Sequence, residues 1–171
     1  SVLVSTTTHM LVEPDTDLSC DSFAIMEKIK KTGYCMAGAV CPENSAKMQS
    51  LPEQMLHDLM KQVDYALIEA DGAKHYALKY PLEQEPVIPE GTTDVILVLG
   101  SWDLGKPCKD VVFRFEHMTS ALGISGDMKA DKQMLQWIWQ AYEEKLKNMD
   151  YQGHFHVLLS EKTDQGLVFH T

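Results

Sequence analysis

The sequence predicts an α/β domain built on a mostly parallel sheet with helices on both faces. Three observations predict it. Short β-branched runs alternate along the chain with runs of helical period, the order of parallel strands joined by helices. The run "DVILVLG" is apolar throughout, as in a strand covered on both sides. The run "DKQMLQWIWQAYEEKLKNM" repeats apolar residues at helical spacing, the stripe of a helix that packs on one side.

The elements follow in order. "SVLVSTTT" is β-branched and reads as a strand. "DSFAIMEKIKK" sets Phe23, Ile25, Met26 and Ile29 in a short helix, and "GYCMAGAVC" reads as a short strand. "LPEQMLHDLMKQ" spaces Leu51, Met55, Leu56, Leu59 and Met60 for a helix, with Pro52 near its start, where proline is tolerated. "DYALIEA" and "TTDVILVLG" are strands. "KDVVFRFEHMTSALG" is mixed and helical at its end. The long helix predicts Met134, Leu135, Ile138, Trp139, Tyr142 and Leu146 as its buried side, with Trp137 toward the edge. Gly153 breaks it, "HFHVLLS" is the last strand, and "EKTD" follows as a polar loop. No repeat, low-complexity segment or long linker divides the chain, so residues 1–171 read as a single domain.

Composition narrows the function. The chain has 171 residues, 44% hydrophobic and 23% charged, an ordinary globular balance. Its formal net charge of −10 disfavours a nucleic-acid partner, which usually needs a basic surface. The apolar runs are strand-sized and too short to cross a membrane. The N-terminus lacks the pattern of a secretory signal. The four cysteines form no C-x-x-C pair and read as reduced thiols of a cytoplasmic protein, with a disulfide between two of them as the alternative.

In open α/β sheets, ligands bind outside the carboxyl ends of the strands. Three segments fall there: residues 6–9, 69–74 and 161–164. In the second, Glu69 and Asp71 lie on one side if the strand runs through them. Two carboxylates at a strand end suit a hydrated Mg²⁺ beside a phosphate. Gly72 lets a ligand approach the backbone, and Lys74 and Lys79 supply charge to neutralise an anion. A turn with solvated charges explains the same residues. Thr6, Thr7, Thr8 and His9 offer three hydroxyls and an imidazole for an anion or a metal-bound water; strand propensity followed by a turn is the alternative. His154 and His156 share a strand face, and a structural role fits them better than metal binding. Lys162 and Asp164 in "EKTD" match the Lys and Asp of the [N/T]-K-x-D segment that reads a guanine base, with Glu161 in place of the first residue. A phosphate-cradling G-x-x-x-x-G-K-[S/T] run does not occur in this sequence.

Taken together, "VLVSTTTHM", "EADGAKHYALKYPLEQEPVIP", "DVILVLGSWDLGKP", "FRFEH" and "VLLSEKTD" resemble the selenium-dependent hydroxylase accessory protein family of YqeC type. The resemblance covers nearly the whole chain and is strongest over residues 69–89. It implies a P-loop NTPase-like domain that assists maturation of a selenium-dependent molybdenum hydroxylase, with Mg²⁺ and GTP or ATP as cofactors of the full-length form. It implies Glu69 and Asp71 at the metal, Thr6, Thr7, Thr8, His9, Gly72, Lys74, Lys79 and Glu85 around the phosphates or another ligand, and Lys162 with Asp164 at the base. Glu85 is also suited to holding its own loop through Arg114. The family begins with a strand and a Gly-rich loop, and this sequence contains neither. That departure implies a truncated family domain or a relic with another role, and argues against hydrolysis by these residues alone. An open sheet position also implies a homodimer or a sheet closed in another way. The alternative reading is a non-catalytic module that binds the hydroxylase or a molybdopterin-like anion. A small metal-dependent hydrolase using Glu69, Asp71 and histidines ranks last, for want of a ligand set with suitable spacing.

Overall fold

The computed structural model describes residues 1–164 and 166–170. It is an α/β fold with parallel strand pairs and helices, and the chain divides into two compact units. The first comprises Ser1–Gly72 and Val87–Gly91; the second comprises Ala73–Pro86 and Thr92–Thr171.

In the first unit the order is β1 (Val2–Thr6), β2 (His9–Leu11), α1 (Ser22–Thr32), β3 (Tyr34–Met36), β4 (Ala39–Val40), β5 (Lys47–Gln49), α2 (Glu53–Met60) and β6 (Tyr65–Glu69). β1 is central in a parallel sheet ordered β3-β1-β6. α1 starts where the Asp21 carboxylate accepts from the N–H groups of Phe23 and Ala24, at 2.9 and 3.3 Å. It stops at Gly33, whose φ of 79° permits the left-handed cap that donates to Ile29 O at 2.7 Å. Leu3 from β1, Ile25 and Ile29 from α1, and Leu56 and Leu59 from α2 close one core over this sheet. β2, β5 and β4 form a separate antiparallel sheet.

The second unit runs β7 (Leu78–Lys79), β8 (Asp94–Gly100), α3 (Cys108–Val111), β9 (Val112–Phe113), α4 (Phe115–Leu122), α5 (Lys132–Asn148), β10 (His154–Thr163) and β11 (Gly166–His170). β8 and β10 are parallel, β11 is antiparallel to β10, and β7 pairs with β9 in a short parallel ladder. Met134, Ile138 and Tyr142 of α5 pack with Leu99, Val111, Val112 and Met118 in the second core.

Four expectations change. Among the described residues the strands are distributed over four sheets rather than one. The sheets are not covered on both faces: Tyr65 and Leu67 of β6, and Ile96 and Val98 of β8, are exposed. These alternate with covered neighbours, so the apolar run of β8 buries one side only. Trp139 is 44% exposed, while Trp137 packs partly buried against the core. The two rings flank the buried stripe of α5 on opposite sides, and helical spacing alone does not decide which flank is covered. The loop expected at residues 161–164 is a hairpin, because residues 166–170 supply an antiparallel partner that was not read as a strand. Among the described residues no helix is long and apolar enough to cross a membrane.

Candidate functional site at the parallel strand ends

β1 and β6 are parallel, so their carboxyl ends lie at one edge, and the register pairs Thr6 directly with Glu69. The ladder runs one step further, as the Thr7 N–H donates to Glu69 O at 2.9 Å. Buried Thr6 then organises the edge. Its hydroxyl donates toward Glu69 O at 3.0 Å and lies 3.4 Å from the carboxylate Oε2. It also accepts from the Thr8 N–H at 2.9 Å, a local turn bond that aims the chain back over the edge, and it stands 3.2 Å from Thr8 Oγ1. The Thr7 hydroxyl donates to Val87 O at 2.7 Å, and the Val87 N–H donates to Ala70 O at 3.2 Å. Residues 87–91 are thereby tied to the same edge.

β6 ends at Glu69, so the alternation that would set Asp71 beside it stops before Asp71. Both side chains are half-buried. Gly72 passes close beneath the carboxylate: a Cβ on it would lie 3.3 Å from Glu69 Oε1. The donors gathered here are carboxylates, hydroxyls and carbonyls, the hard oxygen set that suits Mg²⁺.

The remaining predicted residues belong to other elements. His9 opens β2 and lines a cleft with Cys41 and Glu43. Lys74, Lys79 and Glu85 belong to the second unit. There Lys79, 5% exposed, meets Glu85, 13% exposed, at 3.1 Å, and Arg114 Nη1 donates to the same carboxylate oxygen. The Leu82 N–H adds a third donor at 3.2 Å. The Arg114 contact expected for Glu85 is therefore present. Burial pushes the Glu85 carboxyl up, but Arg114, the Leu82 N–H and Lys79 outweigh it and hold the group below its ordinary value. All three cations surround the Phe113 ring: Lys74 Nζ, Lys79 Nζ and Arg114 Cζ lie 5.1, 5.7 and 4.9 Å from its centroid, and Tyr76 stacks on it at 5.8 Å.

Lys162 lies inside the hairpin opposite Leu167, and Asp164 is an exposed turn residue. His156 is held by Asp94 at 3.0 Å. All four cysteines are free. Sequence reasoning missed Cys41 and Glu43 as partners of His9, and Phe113 as the ring between the cations. The "FRF" alternation was the one local signal for Phe113.

Comparison with known proteins gives a consistent family. The family model described as "YqeC protein" matches residues 1–116. The "Uncharacterized protein YqeC" of Escherichia coli (strain K12) is 31% identical over 134 residues, covering 74% of this chain and 52% of that protein. The chain thus spans about half the length of that curated relative. No solved structure matches.

Proposed function

The chain belongs to the YqeC family, and from that premise we propose that it is a nucleotide-binding accessory protein, P-loop NTPase-like in descent, for maturation of a selenium-dependent molybdenum hydroxylase in the cytoplasm. The observation that carries the reading is the paired end of β1 and β6, where Thr6, Thr7, Thr8 and Glu69 meet at one parallel edge with Asp71 and Gly72 just beyond. Glu69 and Asp71 would hold a hydrated Mg²⁺, which needs only one or two carboxylates and keeps several waters. The ion would supply positive charge for the phosphates of GTP or ATP. The threonine hydroxyls, gathered by the turn that the Thr8 N–H closes on Thr6, would help to hold that shell. Lys162 and Asp164 are the residues proposed to favour guanine. The partner is the hydroxylase itself or its molybdopterin-like cofactor, and a second copy of the chain is the proposed assembly.

Calorimetric titration with Mg-GTP and Mg-ATP tests this. Saturable binding is expected, reduced at least about tenfold by Asp71→Ala, the order of loss when one charged partner of a bound anion–metal group is removed. Tighter GTP than ATP binding supports the base-reading role of Asp164. No heat with either nucleotide overturns nucleotide binding by this chain and turns the reading toward a module that binds the hydroxylase without nucleotide.

A further inference from the structure

We propose that His9, Cys41 and Glu43 form a binding site for a zinc-class divalent cation, on the antiparallel β2-β5-β4 sheet rather than at the end of β1 and β6. This inference does not rest on nucleotide binding. The ligand-bearing atoms of the three side chains all lie within 4.8 Å of one another. They line one cleft of about 510 Å³, shared with Asn44, Lys47 and Gln49.

The sheet explains why residues so distant in sequence converge. Gln49 pairs with His9 on one side and with Ala39 on the other, so these three side chains share a face. Cys41 follows directly on the end of β4, and Lys47, two before Gln49 within β5, stays on that face by alternation. Met48, between them, turns the opposite way and is fully buried. Pro42 separates Cys41 from Glu43 and fixes φ between them, which limits how far the two can separate. Cys41 Sγ lies 3.4 Å from Glu43 Oε2.

The donor set is one sulfur, one imidazole nitrogen and one carboxylate oxygen. Magnesium and calcium select oxygen alone, whereas zinc and its spectroscopic substitute cobalt accept this mixture. Tetrahedral bonds of about 2.0–2.3 Å hold ligands roughly 3.3–3.8 Å apart, so closure from 4.8 Å needs about an ångström of side-chain adjustment. His9 and Glu43 are exposed and can make it, while Cys41, 4% exposed, stays as the fixed member. On binding, the Cys41 thiol releases its proton to solvent and the thiolate forms the metal–sulfur bond. Three protein ligands leave a fourth position for water or an exogenous ligand, as in sites that do chemistry rather than sites that only brace a fold. Lys47, in the same cleft, favours an anion there.

The test is zinc affinity of the tag-free chain by chelator competition, with cobalt spectra beside it. Stoichiometric zinc binding is expected, along with a thiolate-to-cobalt charge-transfer band in the near ultraviolet. Cys41→Ser should abolish the band, although Cys20, Cys35 and Cys108 are retained. His9→Ala and Glu43→Gln should each weaken zinc binding more than about tenfold with unchanged circular dichroism. Absence of saturable zinc binding, or a band that survives Cys41→Ser, overturns the site. Should Cys41→Ser fail to fold, the two exposed variants decide: unchanged affinity in both overturns it as well.

Discussion

Residues 69–72 and residues 74–85 follow one another in the chain, yet their charges are used differently. At the end of β6, the Thr6 hydroxyl lies 3.4 Å from the Glu69 carboxylate, beside the local turn that Thr6 braces. In the second unit, the Glu85 carboxylate is closed on by Lys79, Arg114 and the Leu82 N–H, over the face of Phe113. The first sets a half-buried carboxylate beside a hydroxyl. The second sets one carboxylate between two cations. The contrast teaches that charge density in the sequence was one signal with two meanings. Oxygen donors collected at a strand end mark one setting for a carboxylate, and a carboxylate shared by two cations marks the other.

The comparison breaks most visibly at Glu85. Glu85→Gln keeps the shape but removes the charge that Lys79 and Arg114 share. Removing one member of a buried ion pair costs about 3–5 kcal/mol, and urea unfolding should read a loss of that size. The pH dependence has a definite sign. The folded carboxyl lies below its ordinary value, so its contribution is complete above the unfolded value of about 4.3 and is lost as pH falls through the lower folded value. The wild type should lose stability over that acid range, and Glu85→Gln should lack this component. An identical acid limb in both proteins would show that the cluster contributes nothing through charge.

The matching test at the strand ends is smaller. Thr6→Val preserves volume at a fully buried position but removes the acceptor of the Thr8 N–H and the donor toward Glu69. Leaving such groups unsatisfied costs about 1–3 kcal/mol. Unfolding should show that loss while the acid limb assigned to Glu85 stays intact. A loss as large as that of Glu85→Gln would erase the distinction between the two regions.

What was legible in the sequence follows from how local each signal is. α1 could be bounded because Asp21 caps it and Gly33 ends it, both within its own residues. The meeting of Thr6 with Glu69 at a strand end was readable from the order of elements, since parallel strands bring like ends together. The choice between Trp137 and Trp139 was not readable, because it depends on what packs against each flank of α5. β11 was missed because no residue of "GLVFH" is buried, and a strand without a covered face carries no alternating signal. The grouping of His9 with Cys41 and Glu43 was illegible for a further reason. It depends on two cross-strand registers through Gln49, which spacing along the chain does not encode.

The smallest effect sharpens the comparison at Lys74, the residue just beyond the first region. Its φ of 48° lies in the left-handed region, which costs a residue with a Cβ about 1–2 kcal/mol. Its ammonium sits 5.1 Å over Phe113, worth about 0.5–1 kcal/mol at an exposed position. Lys74→Ala keeps the strain and loses the cation, so stability should fall by about 0.5–1 kcal/mol. Lys74→Gly also relieves the strain, at about 0.5–1 kcal/mol of added unfolded-state freedom, and should land within about 0.5 kcal/mol of the wild type. The difference between the two variants isolates the backbone term, and the fall in the alanine variant isolates the cation. If alanine costs nothing, the ammonium does not stabilise the cluster around Phe113. Lys74 then stands outside the cluster of Lys79, Arg114 and Glu85, and the boundary of that cluster moves from Gly72 to beyond Lys74.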